Sequence, residues 1–119
     1  MESTISILNP ATVSNIEQEL RSIGVSHRGT EIMKEKLIFY VIKLEKVDTR
    51  AANILKQTML SKGAEAAVSA GTVNLSASHT DVIIGATRHQ LRQAIIRLKE
   101  QPWGLRKIAE ELESFFDIK

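Results

Sequence analysis

The run Leu37-Ile38-Phe39-Tyr40-Val41-Ile42 constrains the fold of this chain more than any other stretch. It is far shorter than the roughly 20 residues a membrane-spanning helix needs. Its β-branched and aromatic side chains favour a pleated strand, and apolar residues on both faces predict a strand covered on both sides. Beyond it the pattern opens to Lys43, Leu44, Glu45 and Lys46, so Ile38, Tyr40, Ile42 and Leu44 share the deeper face.

Helical stripes flank this strand and supply its cover. Val13, Ile16, Leu20 and Ile23 recur at three- and four-residue spacing, with Asn9-Pro10 as a helix start and Gly24 as a stop. Asp48 or Thr49 can cap a second helix carrying Ala51, Ala52, Leu55 and Met59, which Gly63 ends. A third, capped by Thr87, carries Leu91, Ile95 and Leu98 and stops at Gln101-Pro102. After a Trp103-Gly104 corner, the fourth aligns Leu105, Ile108, Ala109, Leu112, Phe115 and Phe116.

Short strands are expected at residues 4–8, where Ile5 and Ile7 alternate with polar neighbours, and at 82–84. Residues 65–69 and 72–76 read as the arms of a hairpin turning at Gly71, and 26–36 as an irregular connector with a short helical turn. The expectation is one α/β domain over residues 1–119, with α+β as the alternative: a sandwich of a mixed, short-stranded sheet covered by about four helices. With 119 residues, 43% of them hydrophobic, the chain has material for one core.

Composition removes several chemistries. The chain has no cysteine, which excludes disulfides, thiolate catalysis and Cys-ligated metals and suits a reducing compartment. Glu2 and the alternating start fit neither a signal peptide nor a transit peptide, so a cytoplasmic protein without a membrane segment is expected. His27, His79 and His89 stand apart, no G-x-S-x-G occurs, and the acids of the last helix lie on its polar face. No catalytic residue, metal or cofactor is assigned.

Two binding readings remain. Gly85-Ala86-Thr87-Arg88, passing from strand to helix, could offer amides, a hydroxyl and a guanidinium to an anion, with Arg50 and Asn53 as a polar rim. Arg88, Arg92 and Lys99 share a helix face that could meet phosphates, yet the net charge is only +2 and no aromatics stand nearby for base stacking, so nucleic acid is disfavoured.

A resemblance adds a third reading. Arg50-Ala51-Ala52-Asn53-Ile54-Leu55-Lys56-Gln57, Met59-Leu60, Gly63-Ala64-Glu65-Ala66-Ala67, Thr80-Asp81-Val82-Ile83-Ile84-Gly85-Ala86-Thr87 and Leu98-Lys99-Glu100-Gln101-Pro102-Trp103-Gly104-Leu105 together resemble the N-terminal extension domain of clostridial-type dihydropteroate synthases. The resemblance departs at Trp103, where Phe is expected, and at Thr58, where an acid is expected. In such enzymes the extension precedes a (β/α)₈ barrel that condenses a dihydropterin pyrophosphate with 4-aminobenzoate, and the pterin-binding and catalytic loops belong to the barrel. The resemblance therefore carries no functional residue onto this chain. It implies a non-catalytic accessory domain in folate synthesis that works through a synthase-like barrel partner or through homodimerisation.

Overall fold

The computed structural model describes residues 2–72 and 74–119. Among them are five α-helices and three strands: α1 (Val13–Ser22), α2 (His27–Leu37), β1 (Phe39–Asp48), α3 (Thr49–Ser61), β2 (Glu65–Ala67), β3 (His79–Thr87), α4 (Arg88–Leu98) and α5 (Leu105–Phe115). The α/β class holds. The sheet order is β1-β3-β2, and both pairings are antiparallel. The crossover from β1 through α3 to β2 is present, but β3 is inserted between the two strands it links, so the sheet is antiparallel throughout rather than mixed.

Five of the local expectations change. Residues 4–8 form no strand, because no strand edge lies beside them to accept their hydrogen bonds. The cap of α1 is Thr12 rather than Asn9, its hydroxyl accepting from the Asn15 amide at 3.2 Å. The stretch read as a connector is an eleven-residue helix capped by Ser26, whose hydroxyl accepts from Gly29 N–H at 3.0 Å. Gly29 mimics turn chemistry in the sequence, yet it sits in the helix because a Cβ there would meet Val25 Cγ1 at 2.9 Å. The expected second hairpin arm is a 3₁₀ turn at Ala70–Thr72 followed by a turn at Asn74 and Leu75; Val73 lies outside the described residues.

The brief strand expected at 82–84 is longer, because Gly85, Ala86 and Thr87 remain in β3. The α3, α4 and α5 layer covers one side of the sheet and encloses the main core, in which Leu55, Met59, Val82, Ile84, Leu91, Leu98 and Leu105 are fully buried. A smaller cluster of Ile16, Leu20 and Ile38 sits under α1. Tyr40 touches both clusters, its ring 4.3 Å from that of Phe116.

Near its end β1 carries a bulge. Leu44 pairs with Val82 and Val47 with Thr80, so Glu45 and Lys46 stand opposite Asp81 alone. Lys46 adopts φ 54°, and its N–H donates to Asp81 Oδ1 at 3.0 Å. The extra residue reverses the alternation: Phe39, Val41, Lys43 and Glu45 point away from the core, whereas Val47 points into it. Asp48 then follows in position to cap α3.

Candidate functional site

The residues expected to bind an anion do not meet in one cleft, and each has a partner inside the domain. Gly85 is a β3 residue whose missing side chain makes room for a ring: an added Cβ would lie 3.1 Å from Phe39 Cζ. Thr87 caps α4 in a reciprocal box, its hydroxyl accepting from Gln90 N–H at 3.1 Å while Gln90 Oε1 accepts from Thr87 N–H at 2.9 Å.

Arg88 is nearly buried. Its Nη1 donates to the carbonyl of Phe116 at 2.7 Å and to the Tyr40 hydroxyl at 3.2 Å, Nη2 donates to the carbonyl of Asp117 at 2.8 Å, and Nε lies 2.9 Å from Glu35. Arg92 shares Glu35 at 2.5 Å and donates to the carbonyl of Lys119. A guanidinium held in this way ties α2, β1, α4 and the chain beyond α5 together, and it complements the negative end of α5.

Arg50 and Asn53 stand near the N-terminus of α3. Arg50 pairs with Asp48 at 2.8 Å and lies 3.8 Å above the Trp103 ring. That guanidinium and the Arg50 amide together hold the Asp48 carboxyl well below the usual carboxylate range. Asn53 Nδ2 donates to the carbonyl of Thr72 at 2.9 Å. On α2, Lys34 bonds to Glu31 and Glu17, which lowers the Glu31 carboxyl and raises the Lys34 ammonium. Among the described residues no group of three or more His, Asp or Glu side chains is placed to hold a metal ion, and no helix is long and apolar enough to cross a membrane.

One surface left without internal partners is the outer face of the sheet. The helical layer covers only the inner side, so β1 is not buried on both faces as its composition suggests. Val41 is 74% exposed, Phe39 57% and Ile83 47%. The register makes them neighbours: Val41 stands opposite Gly85, across which the Phe39 ring lies, while Ile83 is flanked by Lys43 on one side and Ala67 on the other. Lys43, Glu65 and Asp81 give this apolar strip a charged rim. An exposed apolar strip with a charged rim is the usual form of a protein-binding face. One signal for it was present in the sequence: the outward positions that follow Val41 are Lys43 and Glu45, which a doubly covered strand would not carry.

No family model matches the chain, and no solved structure matches it. Two curated proteins do. Over 107 residues it is 29% identical to the bifunctional dihydropteroate synthase/dihydropteroate reductase of Helicobacter pylori, covering 90% of this chain and 27% of that protein. Over 108 residues it is 30% identical to a probable bifunctional folylpolyglutamate synthase/dihydropteroate synthase of Halobacterium salinarum, covering 91% of this chain and 13% of that one. The chain thus spans about a quarter and about an eighth of the relatives it matches, and the activity their names share is dihydropteroate synthesis.

Proposed function

We propose that this chain is a non-catalytic accessory domain of dihydropteroate synthesis, a resemblance to the N-terminal extension of the synthase, and that it works in the cytoplasm by seating the outer face of its sheet on a synthase barrel. The observation that carries the reading is the strip of Phe39, Val41 and Ile83, apolar and open on a domain that otherwise pairs its buried charges internally. The two bifunctional relatives support the pathway, since each has dihydropteroate synthase in its name and most of its length outside the matched region. Nothing in the partners of Thr87 and Arg88 favours the anion-binding alternative, because both side chains are engaged within the fold.

The test is sedimentation of the chain with the dihydropteroate synthase of the same cell. A complex is expected for the parent chain and none for Val41→Asp, a substitution at an exposed position that leaves the core untouched. Two results would remove the reading: a complex that survives Val41→Asp, or pterin condensation by the chain alone.

A further inference from the structure

The sheet has a second unfilled boundary, distinct from the face just described. β1 is one of the two edge strands and much the longer, and its far edge presents unpaired backbone N–H and C=O groups over much of its length. Beneath that edge, on the helical side, β1 and α5 leave a groove of about 180 Å³ whose walls are the apolar side chains of Ile42, Leu44, Ile108, Leu112, Phe115 and Phe116, with Lys43 and Glu111 also lining it. That volume is comparable to the roughly 150 Å³ cavity that takes up a benzene ring. Phe115, 81% exposed, stands at its rim with its ring 4.8 Å from that of Phe116.

The chain also holds a segment with the sequence pattern of a strand and no sheet to join. In residues 4–8, Ile5 and Ile7 alternate with Thr4, Ser6 and Leu8, the signature of a half-buried strand. Yet residues 2–12 are all exposed, Ile5 at 94% and Ile7 at 89%, and among the described residues no hydrogen bond joins residues 2–9 to the body. The molecule is 59 Å long with a radius of gyration of 16.9 Å, where a compact chain of this size would have roughly 13.5 Å, in keeping with an exposed arm that stands off the body. An arm directed away from its own body is placed to reach a neighbour.

The geometry points to reciprocal strand exchange between two copies of this chain: residues 4–8 of each copy lie along the free edge of β1 in the other, with Ile5 and Ile7 in the groove between β1 and α5. The match has two independent parts. Backbone groups of the arm meet backbone groups of the edge, and the two-residue spacing of Ile5 and Ile7 equals that of Ile42 and Leu44, the β1 side chains that line the groove. Ser6 then falls on the outer face beside Lys43. The arrangement closes under a two-fold axis, covers both exposed edges and leaves the strip of Phe39, Val41 and Ile83 open.

The experiment uses the absence of cysteine from the chain. Ser6→Cys combined with Lys43→Cys is oxidised and resolved without reductant, and the parent chain and the Ile5→Asp/Ile7→Asp variant are compared by sedimentation over a range of concentrations. Disulfide-linked dimers are expected from the cysteine pair, and the dimer dissociation constant should rise by on the order of 100-fold or more in the aspartate variant, which removes two apolar anchors from each arm. The aspartates lie outside both cores, so the variant keeps its fold, which circular dichroism checks. A disulfide formed within one chain, a parent chain that stays monomeric, or a dimer unaffected by the aspartates would each overturn the proposal. None of these results bears on synthase binding through Val41, so the two readings fail separately.

Discussion

Ile83 and Ile84 are neighbours of identical composition in the same strand, and they live in different environments. Ile84 is fully buried against the helical layer, while nearly half of Ile83 is open to solvent beside Lys43 and Ala67. The contrast extends along the whole sheet: Val82, Ile84 and Ala86 face inward, whereas Phe39, Val41 and Ile83 face out. An apolar residue in a strand therefore does not by itself say that its own chain covers it.

The sharpest way to break the contrast is a charge on each side. Ile84→Asp buries a carboxylate without a partner and is expected to prevent folding, given total stabilities of about 5–15 kcal/mol, while Ile83→Asp should stay within about 1 kcal/mol of the parent in urea unfolding. Comparable losses at both positions would mean that the outer face is covered. Next in size, Arg88→Ala leaves Glu35 with Arg92 alone and strands two carbonyls on the inner side, and should cost about 2–4 kcal/mol, whereas Lys43→Ala on the outer side should cost less than about 0.5 kcal/mol. Thr87→Ala removes the cap of α4 and should cost about 1 kcal/mol by the same measurement.

Acid supplies a smaller effect. Asp48 has a lower pKa folded than unfolded, so its contribution is complete above the unfolded value of about 3.9 and is lost as pH falls toward the folded one. Thermal melts of Asp48→Asn should therefore lose part of the decline in melting temperature below about pH 4. Smallest of all, Thr30→Val is expected to be neutral or slightly stabilising, because the buried Thr30 hydroxyl has no hydrogen-bond partner among the described residues.

The fold was legible where one local signal sufficed. Gly24 and Gly63, at φ 91° and 79°, close α1 and α3 as expected, and Thr87 caps α4. The signals failed where the deciding group lay far away in sequence. Nothing around Arg88 announces that Glu35, Phe116 and Asp117 would gather around its guanidinium, so a motif suited to an anion became an internal clasp. The antiparallel sheet was likewise hidden, because β1 and β2 are linked through a helix while their common neighbour arrives only at His79. The outer face was misread for a related reason: apolar residues on both sides of β1 suggest cover on both, yet within this chain the helices cover only one, and Phe39 and Val41 on the other are exposed.

The bulge at Glu45 and Lys46 makes the two faces depend on a counting rule. Up to that point odd numbers in β1 look outward, and after it Val47 looks inward. Removing Glu45 or Lys46 would restore one-to-one pairing opposite Asp81 and leave Val47 facing inward, whereas removing a residue from the regular ladder before the bulge would turn every later side chain of β1 to the other face. For this domain, shortening β1 by a single codon should be tolerated at the bulge and damaging anywhere before it.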